Sequence, residues 1–415
     1  MENFVNLHNH SIYSLYDALD TPEDLVKRAA ELNQPGIALT DHGMCGGWIR
    51  FYNSCKKFGI KSIFGIENYC IDKLEEYDEK KKRIRQKNNH VILLIKNDEG
   101  YRNLLRLNYE ANKDETHFYY KPRNSFEELF KYSKGLIVSS ACSSSGFANL
   151  LAEEKEDEAE KLFLKFLEVF KDNFYAELQI NEMEFQKKYN QWLIDIANKN
   201  GVPIILTADS HYIDKDGGKV QEFSFYLRSD DDKEVGEQFQ CHHLYLHNIN
   251  DFKEQNQWFK YDYSNYQIEG WCKNTIDILN KINFIFPERN KMLLPRQAFD
   301  EDEELMKLTR QGLMKHFGVD KYEDCPLKYR ERVKTELELI IRKGVSRYFL
   351  LLNDMAKFAN ENDIWRGPAR GSAGGSIVCC CLNIIDWQMD GIENNLIFER
   401  FVSNSRLSDS IIDYY

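Results

Sequence analysis

The side chains best suited to chemistry in this sequence are histidines, carboxylates and one cysteine that stand beside short apolar runs. The run FVNLHNH ends in His8 and His10, with Asp17 in the loop beyond, and the run IALTDH ends in Asp41 and His42. The other positions of this kind are Glu67 in IFGIE, Cys142 in LIVSSAC, Asp209 and His211 in IILTADSH, and His90, which instead opens the run NHVILLI. Imidazole nitrogen, carboxylate oxygen and thiolate sulfur together suit Zn²⁺, Mn²⁺ or Fe²⁺ rather than Ca²⁺. These residues therefore predict a metal site built from several parts of the chain.

Such a site needs a scaffold that brings strand ends together, and the first 215 residues have a suitable pattern. Seven apolar runs alternate with helical patterns such as TPEDLVKRAAELN, in which Thr21 is the expected N-cap. Strands that alternate with helices predict a parallel sheet covered on both faces. Seven units favour a closed β/α barrel, although an open sheet also fits the pattern. In a barrel the C-terminal strand ends converge on one mouth, where His8/His10 and Asp209/His211 would each point two ligands the same way.

Composition sets the broad class of the protein. The chain has 415 residues and is 42% hydrophobic, which predicts two or three domains. We expect a barrel in 1–215, the end of that domain and a connection in 216–290, and a second unit in 291–415. The net charge of −12 lacks the basic bias of a nucleic-acid binder, but a local patch or metal ions could still bind DNA. No apolar run is long enough for a membrane span, no signal pattern is present, and ten scattered cysteines indicate reduced thiols in a cytoplasmic protein.

Several segments resemble one known domain family. LHNHSIYSLYDAL, GIALTDHG, FGIENY, NHVILLIKNDEGYRNLLRL, SSAC and LTADSHY are similar to the PHP (polymerase and histidinol phosphatase) domain, above all to the version found in the C family of bacterial replicative polymerases. The resemblance implies an α/β fold, a distorted (β/α)₇ barrel, with up to three metals (Zn²⁺ and/or Mn²⁺). The family's ligand positions match His8, His10, Asp17, His42, Glu67, His90, Cys142, Asp209 and His211.

The same resemblance implies how the ligands divide and what they do. By analogy, one metal would be held by His8, His10, Glu67 and Asp209, a second by Glu67, His90 and Cys142, and a third by Asp17, His42 and His211. Metals a few ångströms apart clamp a phosphate and activate a water for in-line attack. Because all nine positions carry metal-competent residues, we expect phosphoester hydrolysis of the 3′→5′ exonuclease kind. A purely structural metal site is the alternative.

The segment RGPARGSAGGSIVCCCLNIID (366–386) is a second dense motif. A glycine-rich loop before a helix can bind phosphate through backbone N–H groups, with an arginine adding a charged contact, although a flexible turn is the plain alternative. The three adjacent cysteines are best interpreted as the core of the following helix. With NLIFERFVSNSRLS downstream, the segment resembles the start of a C-family polymerase palm, an α+β domain. The resemblance implies that Arg370, Gly371 and Ser372 contact the triphosphate of a deoxynucleotide, with Arg400 nearby.

The end of the chain departs from that family. The palm pattern continues into Asp-x-Asp-x-Asp, two of whose carboxylates bind the metals of nucleotidyl transfer, whereas this chain has only Asp409 and Asp413. Carboxylates four residues apart on a strand lie about 13 Å apart, too far to hold two metals about 4 Å apart. The thumb and fingers would lie beyond residue 415. We therefore expect that this chain alone cannot polymerise DNA, and that any polymerase function would need Mg²⁺ and a second chain.

The leading hypothesis is thus the first part of a C-family replicative polymerase, from a split or a truncated gene. Its partners would be DNA, a deoxynucleotide, a second chain with thumb and fingers, and other replication proteins. We expect no membrane association. A second hypothesis is a stand-alone metal-dependent phosphoesterase or nuclease. A third is a non-catalytic module that docks replication proteins. A small-molecule phosphatase fits less well, because the palm-like segment would have no role in it.

Overall fold

The computed structural model describes residues 3–75, 86–228, 241–287 and 294–403. The chain divides into two compact units, Met1–Phe286 and Pro287–Tyr415. The domain boundaries near 215 and 290 inferred from the sequence remain predictions. Within the described residues, no helix is both long and apolar enough to cross a membrane.

A mixed β-sheet forms the centre of the first unit. Its strands are β1 (Gly36–Leu39), β2 (Lys61–Ile71), β3 (Asn89–Ile95), β4 (Phe118–Tyr119), β5 (Lys121–Ser125), β6 (Leu136–Ser139), β7 (Phe174–Gln179) and β8 (Ile204–Thr207). The strand order is β4-β5-β2-β3-β6-β7-β8, and β1 pairs with the first half of β2. β1, β6, β7 and β8 are buried throughout, as continuous apolar strands covered by helices should be.

The segment 4–10, predicted as a strand, instead forms an irregular bridge between the two ends of the sheet. On one side the carbonyl of Asn6 accepts a hydrogen bond from Ala38 N at 2.9 Å. On the other side Ser210 N donates to the carbonyl of His8 at 3.0 Å, and His10 N donates to Ser210 O at 2.8 Å. The bridge curls the sheet, and the predicted α/β class with a distorted barrel is confirmed.

The prediction of a parallel sheet is wrong for two strands, the short β4, which runs antiparallel to β5, and β3. β3 runs antiparallel to both of its neighbours, β2 and β6. An apolar run shows that a strand is buried but not which way it runs, so the sequence pattern could not reveal the reversal. Because β3 is reversed, its first residues lie at the same end of the sheet as the last residues of the parallel strands. His90 therefore faces the others although it opens its strand.

Helices cover the sheet of the first unit. They are α1 (Pro22–Glu31), α2 (Trp48–Phe58), α3 (Asp98–Asn112), α4 (Phe126–Lys131), α5 (Gly146–Ala152), α6 (Glu156–Phe170), α7 (Glu184–Asn200), α8 (Gly217–Arg228), α9 (Ile249–Trp258) and α10 (Asn265–Lys281). The predicted cap of α1 is confirmed, because the Thr21 hydroxyl accepts from Asp24 N and the Asp24 carboxylate accepts from Thr21 N. Two of these helices, α5 and α6, are separated by a short break in which Glu154 has a φ of +61°.

The described part of the second unit is helical. Its helices are α11 (Glu301–Phe317), α12 (Leu327–Arg342), α13 (Ser346–Glu361) and α14 (Ile377–Cys381), joined by short 3₁₀ turns. Cys379, Cys380 and Cys381 are buried in its core, as predicted. No strand occurs among residues 294–403, so the strands that an α+β palm would need are not in this range. Asp409 and Asp413 lie outside the described residues.

Candidate metal centre

All nine residues predicted as metal ligands lie together at one end of the curled sheet. His8 and His10 stand on the bridging segment, and Asp17 lies in the loop after it. The others are His42 after β1, Glu67 within β2, His90 at the start of β3, Cys142 after β6, and Asp209 and His211 after β8. Three subsets have ligand atoms within 4.8 Å of one another: His8, His10 and Asp209; Glu67, His90 and Cys142; and His10, His42 and His211.

Glu67 is the hub of the cluster. Its Oε2 lies 2.5 Å from Nδ1 of His42, and its Oε1 lies 2.8 Å from Nδ1 of His90. Sγ of Cys142 is 3.8 Å from the same Oε1, and Nε2 of His8 is 3.4 Å from it. The two oxygens of one buried carboxylate are thus shared by groups from four other segments of the chain.

Asp209 is a second meeting point. Its Oδ1 lies 3.1 Å from Nε2 of His8 and 3.2 Å from Nε2 of His10. Asp209 adopts a φ of +51°, and Ala141, just before Cys142, adopts a φ of +54°. Such left-handed conformations are costly for residues other than glycine and are concentrated at functional sites.

Asp17 lies at the partly exposed edge of the cluster. Its Oδ2 lies 2.9 Å from Nε2 of His42 and 3.6 Å from Nε2 of His211. Gln221 of α8 donates through Nε2 to the backbone carbonyl of Asp17 at 2.9 Å and to its Oδ1 at 3.2 Å. The loop that carries Asp17 is thereby tied to α8.

The cluster has the unsatisfied atoms that a cation would need. Five buried side-chain atoms approach one another closely but make no hydrogen bond of acceptable geometry among the described residues: His8 Nε2, His10 Nε2, His42 Nδ1, Glu67 Oε2 and Asp209 Oδ1. Buried polar atoms are normally paired, and a group of orphaned ligand atoms at one place requires an explanation. The donor set and its orphaned atoms fit divalent cations.

The electrostatics of the cluster hold its carboxylates ionised. Burial alone would raise the pKa of Glu67, but His90 and His42 lower it well below its usual range. Burial is likewise outweighed at Asp209, where the surrounding imidazoles lower the pKa. Burial lowers the pKa of His10 to about 3. Ionised carboxylates and a neutral imidazole are the forms that bind metal at neutral pH.

His42 has the opposite shift. Burial would lower the pKa of His42, but Glu67 and Asp17 on its two sides raise it to about 10. The protonated form of His42 is therefore favoured, with Nδ1 facing Glu67 and Nε2 facing Asp17. A metal ion must displace this proton, so metal binding should weaken as the pH falls.

The sequence did not single out Glu177, which orients His8. Glu177 is fully buried in β7, and its Oε1 lies 2.7 Å from Nδ1 of His8. Thr207 donates to the same oxygen at 2.6 Å, and Ser139 donates to Oε2. A carboxylate on Nδ1 keeps the proton there and leaves Nε2 as the ligand atom. The signal was a glutamate in the middle of the apolar run FYAELQI.

The comparisons with known proteins agree with this geometry. Residues 6–181 match the PHP domain family, and residues 303–414 match the family described as the bacterial DNA polymerase III alpha NTPase domain. The DNA polymerase III alpha subunits of Aquifex aeolicus and Borreliella burgdorferi are each 35% identical over 99% of this chain. The chain is related to the bacterial DNA polymerase III alpha subunits. It spans 36% and 35% of the lengths of these two relatives.

Two solved structures also align with half of this chain. One is a putative metal-dependent phosphoesterase from Bifidobacterium adolescentis, 15% identical with a TM-score of 0.32. The other is an amidohydrolase from Chromobacterium violaceum, 16% identical with a TM-score of 0.33. Each alignment covers 50% of this chain and 87% of the other.

The residues predicted to bind nucleotide are exposed in the second unit of this chain. Arg370, Gly371 and Ser372 are exposed around the 3₁₀ turn Gly371–Gly375, and Arg400 is exposed at the end of the turn Phe398–Arg400. Gly371 has a φ of +58°, a conformation that favours glycine.

An internal carboxylate occupies the helix N-terminus behind this loop. The buried Glu336 accepts from Ile377 N at 3.1 Å, Val378 N at 3.0 Å and the Ser376 hydroxyl at 2.8 Å. The first backbone N–H groups of α14 are therefore occupied by Glu336, and the predicted phosphate contacts of Arg370, Gly371 and Ser372 remain predictions. Phosphate contacts in this segment would have to come from exposed groups such as Arg370.

Proposed function

We propose that this chain serves DNA replication as the PHP-bearing part of a polymerase III alpha subunit, and that its metal centre hydrolyses phosphodiesters at the 3′ ends of DNA. One observation carries the proposal, which is the convergence of nine metal-competent residues with five orphaned buried ligand atoms. A site kept only for structure would not need ligand atoms at the exposed rim, whereas Asp17 and His90 are partly accessible. The relation to alpha subunits supports DNA as the substrate.

The centre would hold up to three cations, Zn²⁺ and/or Mn²⁺. Bound there, divalent cations would polarise a phosphate and lower the pKa of a bound water. The residues of the chain do the rest. Glu67 and Asp209 provide the negative charge, Glu177 fixes the tautomer of His8, and the tie between Gln221 and Asp17 holds the open side in place.

The second unit would take part in nucleotide binding. Arg370, Gly371, Ser372 and Arg400 would contact a deoxynucleotide, with Mg²⁺, in a polymerase that also includes thumb and fingers from a second chain. Other replication proteins are expected partners. We place the protein in the cytoplasm, where replication takes place and where ten free cysteines would stay reduced.

The test uses the full chain with a 5′-labelled single strand and Mn²⁺ or Zn²⁺. We expect stepwise shortening from the 3′ end, reduced at least 100-fold in His10→Ala and Asp209→Asn. Asp195→Asn, on the outer face of α7, is the matched control and should retain full activity. Metal content is measured in parallel. A chain that binds metal stoichiometrically but leaves the strand intact would establish the structural alternative and refute the proposal.

A further inference from the structure

The β4–β5 hairpin stands beside the metal centre. β4 (Phe118–Tyr119) pairs antiparallel with β5 (Lys121–Ser125), and Tyr120 forms the turn with a φ of +60°. β5 in turn pairs with the second half of β2, where Arg123 lies opposite Tyr69. The hairpin thus extends from the strand that carries Glu67.

Tyr69 connects the hairpin to the ligands. Its ring stacks on His42 with 5.8 Å between ring centres, and it meets the ring of His90 edge-on at 5.1 Å. On the hairpin side, Nζ of Lys121 lies 5.5 Å from the centre of the Tyr69 ring. A single buried ring therefore separates the Lys121 ammonium from two candidate metal ligands.

A second contact fixes the same position. Gly43, directly after His42, has a φ of +62°, and a Cβ atom built on it would come within 2.6 Å of Cγ of Pro122. The hairpin and the loop with His42 are packed so closely that only glycine fits between them. The hairpin is therefore a fixed wall of the centre.

The exposed side chains of the hairpin have the chemistry of a strand-binding element. Tyr120 is 76% exposed and Phe118 is 47% exposed. Lys121 is exposed, and no ion pair holds it within the described part of the chain. Its ammonium lies near the Tyr69 ring without an ion pair, and an exposed ammonium of this kind can bind a phosphate oxygen. Aromatic rings next to lysines bind single strands by stacking bases and contacting phosphates.

We propose that the hairpin 118–121 is the strand-holding subsite of the centre, where Lys121 binds a phosphate next to the scissile one and Tyr120 stacks on a base of single-stranded DNA. This inference rests on the proposed function, since it supplies the site with its substrate. It adds an assignment of two residues that hold no metal. Neither residue would contact the reacting atoms, so both are positioning residues.

The test measures binding separately from hydrolysis. The full chain in EDTA is titrated with a 5′-fluorescein-labelled oligothymidylate, and anisotropy is followed at several salt concentrations. Tyr120→Asn removes the ring but keeps a residue that tolerates positive φ, and it should weaken binding about tenfold or more. Lys121→Gln should make the slope of log K against log salt less steep by about 0.7, the value for one phosphate contact on a single strand. Lys121→Arg should restore that slope.

Matched controls are available on exposed helices of the same unit. Lys188→Gln on α7 and Tyr266→Ala on α10 should bind as the wild type does. Unchanged affinity and salt slope in both hairpin variants would overturn the inference, as would equal losses in the controls.

Hydrolysis of bis(p-nitrophenyl) phosphate, which is too small to span the hairpin, separates this inference from the proposed function. We expect the hairpin variants to retain this activity. If neither the wild type nor any variant hydrolyses bis(p-nitrophenyl) phosphate in the presence of metal, the proposed function fails, but the DNA-binding result still supports the hairpin subsite. If the hairpin variants lose it in step with DNA binding, they act on the centre itself and the subsite is refuted.

Discussion

Glu177→Gln is the sharpest perturbation of the metal centre, because it changes one charge and no shape. The carboxylate is fully buried and accepts from His8, Thr207 and Ser139. An amide can still face His8 with its oxygen, and its NH₂ group can donate to the Ser139 hydroxyl. Packing and hydrogen-bond count are thus preserved, while the negative charge that holds the proton on Nδ1 of His8 is lost.

The expected size of the effect follows from the role of this carboxylate. Partners that orient a metal-binding histidine are typically worth 10- to 100-fold in metal affinity, or about 1.4 to 2.7 kcal/mol. Because His8 is the ligand that contacts Glu177, the loss should be largest at the ion that His8 binds. The group of Glu67, His90 and Cys142 should lose less affinity, and only through the shared Glu67.

Chelator-buffered titration with Zn²⁺ or Mn²⁺, with bound metal counted by mass spectrometry, measures these affinities. One ion should bind 10- to 100-fold more weakly in Glu177→Gln, and the affinities of the others should change less. Glu336→Gln, the same change at an equally buried carboxylate of the second unit, is the matched control. Wild-type affinity in Glu177→Gln would show that the charge does not set the tautomer of His8. An equal loss at every ion would show that the substitution disturbs the whole fold.

Two further predictions concern stability. Glu336→Gln should destabilise the second unit by about 2 to 4 kcal/mol, because an amide cannot accept from Ile377 N, Val378 N and Arg332 together. Amide hydrogen exchange in α12 should therefore become faster. Unchanged exchange in α12 would contradict the role of this carboxylate. Burial would raise the pKa of Glu182, but His243 and backbone N–H groups lower it from 4.5 to about 2. The contribution of ionised Glu182 to the free energy of unfolding is therefore complete above about pH 4.5 and is lost as the pH falls toward 2. Glu182→Gln should therefore cost about 1 to 3 kcal/mol at pH 7 in urea unfolding, with a deficit that shrinks steadily below pH 4.5; a deficit independent of pH would rule out the carboxylate charge as its cause.

Most of the candidate metal ligands could be predicted from their residue types and their positions beside apolar runs. Histidines and carboxylates at the ends of apolar runs are found together because strand ends meet at one edge of a sheet. His90 broke that rule, and only the reversed direction of β3 explains it. Strand direction depends on pairing partners far along the chain, so the run NHVILLI could not reveal it.

The residues behind the ligands were harder to predict, for different reasons. Glu177 left a visible signal, since a charge in a continuous apolar strand requires a buried partner. Glu336 left none, because a glutamate in the helical pattern LKYRERVKTELELIIRKG looks like any solvated residue. Its partners Ser376, Ile377 and Val378 lie about 40 residues further along the chain, and only the packing of α12 against α14 brings them together.

Because Glu67 is shared by neighbouring ligand groups, the binding of one metal ion should affect the affinity of the centre for the next. His42 and His90 approach different oxygens of this one carboxylate, so cations held by the neighbouring groups would draw on the same charge. The first ion to arrive would release protons and reduce the negative charge that the next one meets. Successive ions should therefore bind with descending affinity and in a fixed order. Partly loaded protein would then consist of defined intermediates.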